Sequence, residues 1–247
     1  MSAEILVISC GLLPYEEGLA LQRRVEAARQ AGAVADVLLL LEHHPVYTRG
    51  RRSTAEELPM GVDWYEMQGI EVLDTDRGGR VTYHGPGQLV AYPIVSLKPY
   101  GDDVHAYVRG LERVAIAALA ERGVEAGTVE GLTGIWVPDR RVDKSNPARL
   151  FGPSARKVGS IGVHVSRGVT THGLAINVNN DLQPFEWVVP CGIEGCRVTS
   201  LARELGAEQD LRSFAAGLAA HYGEVFDREP VDTDIGRLEP DPGTLAR

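Results

Sequence analysis

The apolar positions of this chain fall into short continuous runs separated by amphipathic stretches. Ile5 to Ile8 is apolar throughout and predicts a strand. Pro14 suits the first turn of a helix whose face is marked by Leu21, Val25 and Ala28 before Gly32. Val37 to Leu41 is unbroken, the pattern of a strand covered on both faces, and runs into a loop at His43, His44 and Pro45. Ile70 to Leu73 and Leu89 to Leu97 predict two more strands, with DRGGRVTYHGPGQ as a glycine-rich turn between them. Val104, Val108, Leu111, Ala115 and Ala118 recur at helical spacing, with Asp102 or Asp103 as the cap and Gly123 as the stop. Ile135 to Val137 predicts a strand, and the polar, aperiodic stretch from Pro138 to Arg156 a mobile surface loop.

From Val158 onward the period changes to two. Ile161, Val163 and Val165, then Leu174, Ile176 and Val178, alternate with small or polar neighbours across a turn at Ser166 to Gly168, which predicts a hairpin. Leu211, Phe214, Ala215, Leu218 and Tyr222 mark a last amphipathic helix. No repeat or linker divides the chain, so the pattern predicts one α+β domain over 1–226, with 227–247 as a flexible tail because it lacks an apolar face.

Composition narrows the class. Across 247 residues no apolar run approaches the ~20 residues a membrane helix needs, and MSAEILVISC has no basic signal region, so a cytoplasmic protein without membrane attachment is expected. Three cysteines, Cys10, Cys191 and Cys196, are too few for a disulfide framework and suit a reducing compartment. The net charge of −9 disfavours nucleic acid as a partner. Arg49, Arg51 and Arg52, joined by Arg77 and Arg80, form a basic cluster that is either a local dock for an acidic partner or a solvated loop.

Cys191 in VVPCGIEGC stands after a proline and before a glycine, a setting that presents a thiol on a tight turn. Such a thiol is either a nucleophile, which needs a nearby cation or base to form the thiolate, or a buried structural group. His44, His84, His172 and Lys157 are the candidates to activate it; Lys157 stands at a strand entry beside glycine and serine in a chain that otherwise favours arginine. No metal-ligand spacing and no phosphate-binding glycine motif occurs, so neither metal nor nucleotide cofactor is expected. GGRVTYHGPG lies between two strands, where its glycines either bring backbone against a ligand or make a plain turn.

Together LEHHPVYTRGR, RGGRVTYHGPGQLVAYPIVSL, RKVGSIGVHVSRGVTTHGLAINVNNDL and PCGIEGCRVTSL resemble the octanoyltransferases of lipoate assembly, in order and over most of the chain from Leu41 to Leu205. The resemblance implies the catalytic fold shared with biotin and lipoate protein ligases, a mixed β-sheet flanked by helices, and no cofactor. It makes Cys191 the acyl-accepting nucleophile and Lys157 the group that activates it and handles protons. It places substrate contacts on Arg77, Gly78, Gly79, Arg80, Val81, Thr82, Tyr83 and His84, on Ser160, Ile161 and Gly162, and on Gly173, Leu174 and Ala175. The implied donor is octanoyl-acyl carrier protein; the implied acceptors are lipoyl domains of 2-oxoacid dehydrogenase complexes and the glycine cleavage H protein. Two features depart from the family pattern: the paired His43 and His44, where a single histidine before proline is usual, and a longer 138–156 loop. The rival readings are an ATP-dependent lipoate protein ligase, a cysteine amidotransferase that takes octanoyl groups from another carrier domain, and a non-catalytic module that docks carrier domains.

Overall fold

In the computed structural model, described for residues 3–139, 151–152, 154–193 and 195–238, the strict alternation of side chains along strands divides the core in two. Strands β1 (Ala3–Leu13), β2 (Asp36–His43) and β6 (Gln88–Ile94) send Ile5, Val7, Leu38, Leu40, Leu89 and Ala91 to one face. Leu6, Ile8, Val37, Leu39, Leu41 and Val90 go to the other. Both sets are buried, so the continuous apolar run of β2 has the physical cause expected of it, cover on both sides.

The sheet is mixed. Its order is β12-β1-β2-β6-β10-β9-β8-β7, with β10 (Val169–Asn177), β9 (Arg156–Ser166), β8 (Leu132–Val137), β7 (Gly127–Val129) and β12 (Arg228–Asp232), and with β11 (Arg197–Val198) pairing β9. β1 runs parallel to β2 and β12, and β11 to β9; the remaining pairs are antiparallel. Helix α1 (Tyr15–Gln30) covers one face through Leu21 and Val25. Helices α3 (Val104–Glu121) and α4 (Leu211–Phe226) cover the other through Leu111, Val114, Phe214 and Leu218. Asp103 caps α3, its carboxylate accepting from the Ala106 N–H.

Two features differ from the sequence expectations. The glycine-rich segment between β4 (Glu71–Asp74) and β6 is not only a turn: Thr82–His84 forms β5, which joins β3 (Val46–Arg49) and β4 in a second, three-stranded sheet. That sheet packs Tyr47, Val81 and Tyr83 against Tyr65 of helix α2 (Val62–Met67) and against Phe185 and Val188. The expectation of a flexible tail from 227 also fails at its start. Asp227 turns the chain in the left-handed conformation, and β12 then pairs β1 while Arg228 reaches the buried Asp36, Nε to Oδ2 3.1 Å. A backbone that supplies an edge strand's hydrogen bonds needs no apolar face of its own, which is why composition misread it. Residues 239–247, and most of the 138–156 loop, lie outside the described residues. No helix among the described residues is long and apolar enough to cross a membrane, and no group of three or more metal-ligating side chains occurs among them.

Candidate active site

The two sheets meet over a cavity of about 790 Å³. Its floor is the β9/β10 ladder, in which Ser160 pairs with Ala175, Ile161 with Leu174 and Gly162 with Gly173. The small residues are a steric requirement: a Cβ on Gly162 would lie 2.6 Å from the carbonyl oxygen of Gly78, and one on Gly173 would collide with the carbonyl oxygen of Ala91. The removal of side chains here lets a second layer of backbone lie directly on the ladder, and Gly78 N–H donates to the Val163 carbonyl at 3.0 Å.

That second layer, 77–80, is held from beneath by its own first residue. Arg77 is buried; its Nη2 donates to the Thr48 carbonyl at 2.6 Å and to Thr48 Oγ1 at 2.8 Å, and its Nη1 to the Gly78 carbonyl at 3.0 Å. Arg51 and Arg52 donate backbone N–H to the carbonyls of Arg77 and Gly79. Glu57, buried and carrying no motif in the sequence, closes the other side. Its Oε1 accepts from Arg80 Nη1 at 2.5 Å and its Oε2 from the Val81 N–H at 3.1 Å. The basic cluster is thus partly structural: Arg49 pairs with Asp74, Arg77 holds Thr48 and Arg80 holds Glu57, while Arg51 and Arg52 stay exposed at the cavity rim.

Most of the expected substrate-contact residues border the one cavity: Arg77, Gly78, Gly79 and Arg80 from the segment before β5, Thr82 and His84 from β5, and Ser160, Ile161, Gly162, Gly173, Leu174 and Ala175 from β9 and β10. Val81 and Tyr83 do not. They alternate with Thr82 and His84 along the strand and so point into the aromatic core with Tyr47 and Phe185, a correction that follows from the period of two.

Lys157 also borders the cavity. It is 4% exposed, with Nζ donating to the Thr133 carbonyl at 3.3 Å and lying 5.3 Å from the centre of the Trp136 ring. The segment carrying Cys191 is tied to the same wall at both ends. Before it, Val189 N–H donates to the Glu57 carbonyl at 3.0 Å; after it, β11 runs alongside the start of β9, with Val198 beside Lys157 and Thr199 N–H donating to the Lys157 carbonyl at 2.9 Å. Between these ties Pro190–Gly192 makes one tight turn, Gly192 packs on the Arg80 side chain, and Gly192 and Ile193 border the cavity. The Cys191 side chain itself lies outside the described residues.

The histidines form part of a buried polar cluster. His43 Nδ1 lies 3.0 Å from the Leu13 carbonyl, which can only accept, so Nδ1 carries the proton and Nε2 accepts from the Tyr92 hydroxyl at 2.8 Å. Burial lowers the His43 pKa to about 4, and burial likewise lowers His84 and His172. His172 Nε2 donates to Asp76 at 2.7 Å, which holds the Asp76 carboxyl down at about 2, while His172 Nδ1 has no hydrogen-bond partner among the described residues. His44, by contrast, follows β2 and does not border the cavity.

Comparison with known proteins places this geometry. Residues 14–223 match the lipoyl protein ligase A/B catalytic domain. The chain is 44% identical over 227 residues to an octanoyltransferase of Roseiflexus sp., covering 92% of this chain and 89% of that one. It is 45% identical over 221 residues to an octanoyltransferase of Chloroflexus aurantiacus, covering 89% and 93%. Among solved structures, a bi-partite lipoate protein ligase from Thermoplasma acidophilum superposes with a TM-score of 0.68 at 17% identity, covering 95% of this chain and 88% of that one, a likeness of fold.

Proposed function

The chain belongs to the octanoyltransferases, acyltransferases of protein lipoylation within the lipoyl protein ligase A/B catalytic-domain family, and on that premise we propose a two-step transfer through a thioester on Cys191. The Cys191 thiolate attacks the octanoyl thioester of octanoyl-acyl carrier protein and releases the carrier's thiol. The ε-amine of a lipoyl-domain lysine, in a 2-oxoacid dehydrogenase complex or the glycine cleavage H protein, then attacks the acyl-enzyme and regenerates the Cys191 thiol. Thioester exchange is close to thermoneutral and amide formation from a thioester is downhill, so no ATP is consumed.

What supports the reading is the convergence on one cavity of Lys157, the glycine floor and the turn that contains Cys191. In it, Lys157 acts as the proton-handling group of both steps, as a cation beside the forming thiolate and as the base for the incoming amine. The apolar Ile161, Leu174 and Val90 supply the wall for a medium-length acyl chain, and Arg77 to Arg80 with Ser160 the backbone and polar edge for the thioester end. The cytoplasm, where thiols stay reduced, is the compartment this chemistry fits.

The test is intact mass of the wild type and of Cys191→Ser after mixing with octanoyl-acyl carrier protein without ATP. A hydroxylamine-labile octanoyl adduct on the wild type alone is the expected result. No adduct, with lipoyl-domain modification appearing only when ATP and free octanoate are supplied, would replace the reading with a ligase.

A further inference from the structure

Helix α3 buries an apolar face, Leu111, Val114, Ala115 and Ala118, and in the midst of it a carboxylate: Glu112 is 1% exposed. A buried carboxylate persists only where hydrogen bonds replace water. Glu112 Oε2 accepts from Arg109 Nη1 at 2.7 Å one turn away on the exposed side. Its Oε1 accepts from the backbone N–H of Gly134 at 3.1 Å, inside the core.

That N–H belongs to the same planar amide as the Thr133 carbonyl, and the Thr133 carbonyl accepts from Lys157 Nζ at 3.3 Å. In a trans amide the two bonds point in opposite directions, so the peptide unit lies with its N–H toward the carboxylate and its C=O toward the ammonium. Both ends are favourable, and each hydrogen bond polarises the amide in the sense that strengthens the other. Gly134 makes the approach possible. Its φ of +132° is a conformation other residues avoid, and a Cβ there would meet Lys157 Cε at 2.8 Å and the Gly159 carbonyl at 2.8 Å. The β8/β9 register shifts at this point, between Ile135 and Trp136, which brings the 133–134 amide beside Lys157 rather than into an ordinary ladder rung.

We propose that Glu112 is a positioning residue for the transfer reaction, fixing Lys157 at the cavity through the Thr133–Gly134 amide. The proposal rests on the role given to Lys157 above. It assigns the buried carboxylate a function that core packing would not require, since an apolar side chain at 112 would continue the face of α3 but leave the Gly134 N–H unpaired and the amide free to rotate.

The experiment uses the full-length protein and follows octanoylation of Cys191 by intact mass with octanoyl-acyl carrier protein in excess, for wild type, Glu112→Gln, Lys157→Met and the double variant, each with its melting temperature. Glutamine keeps an acceptor for Gly134 but removes the charge, and a hydrogen bond to an ionised group is about twice as strong as a neutral one, so a slowing of about fivefold is expected. In the Lys157→Met background the same substitution should cause no further slowing, because an effect transmitted through Lys157 vanishes with it, whereas a general effect on the fold would persist. Glu112→Ala should slow the wild type more than Glu112→Gln and be equally silent in the Lys157→Met background. A native rate in Glu112→Gln, or the same fold loss in both backgrounds, overturns the proposal. A native rate in Lys157→Met would overturn the role of Lys157 itself and this inference with it.

Discussion

Glu57 joins the Arg77–Arg80 layer to the turn before Cys191, and Glu57→Ala separates its contributions. The side chain provides two contacts, to Arg80 and to the Val81 N–H, while the link to Val189 comes from the backbone and survives the substitution. Arg80 is 40% exposed and regains water, so losing that pair costs at most ~1 kcal/mol. Val81 is fully buried, and its N–H would be left without an acceptor at a cost of about 1 to 3 kcal/mol. The sum is roughly 1 to 4 kcal/mol, which for a chain of this size lowers the melting temperature by about 2 to 16 °C. Glu57→Gln retains an acceptor for Val81 and should lose no more than about a third of that. Because the larger part of the cost is an unpaired amide rather than an ion pair, the difference between Glu57→Ala and wild type should hardly change with added salt. With Arg80 released, the surface against which Gly192 packs is lost, and octanoyl transfer by the folded variant at 25 °C should slow by about tenfold or more. The assays are thermal unfolding followed by circular dichroism at low and high salt, and steady-state transfer. A melting temperature within 1 °C of wild type, or equal losses for alanine and glutamine, would refute this reasoning.

Lys157→Arg keeps a cation but cannot exchange a proton near neutral pH, so Cys191 should still be acylated while transfer to a lipoyl domain slows, seen as acyl-enzyme accumulating in rapid-quench mass spectra; equal effects on the two steps would count against proton transfer by Lys157. Acid should destabilise the fold through its histidines. The unfolded chain takes up a proton at His43 near 6.5 and the folded chain only near 4, so the stability from keeping it neutral is complete above pH 6.5 and is lost as pH falls toward 4. The slope is about 1.4 kcal/mol per pH unit, or roughly 2 kcal/mol lost by pH 5, and His84 and His172 shift in the same direction. Asp76, lowered from 3.8 to about 2, acts only below that window. Urea unfolding at pH 7 and pH 5 measures the loss; identical free energies at the two values would contradict it.

Much of the scaffold was legible in the residue pattern because local physics dictates it. The β9/β10 hairpin follows from a period of two across a short turn, α3 from helical spacing between Asp103 and Gly123, and β2 from an unbroken apolar run. The roles proposed for Cys191, Lys157 and the glycine segments come from residue type and sequence block alone. Distance was not legible. The 34 positions between Lys157 and Cys191 carry no geometry, and it is the parallel pairing of β11 with β9 that returns the chain to Lys157.

Other features had no local signature at all. Glu57 and Glu112 look like ordinary acidic residues of a helix or loop, yet each is buried against a backbone N–H contributed by a distant segment. The strand β12 hides in a polar, proline-containing stretch because an edge strand is held by its backbone, and Val81 and Tyr83 sit in the segment expected to contact substrate but turn inward with the pleat. By itself, then, the sequence determined the α+β scaffold and the family, which follow from periodicity and from the order of its sequence blocks. Only the tertiary structure decided which backbone amides meet which buried carboxylates, because such contacts are non-local and depend on strand register, a property of pairs of segments that no single segment encodes.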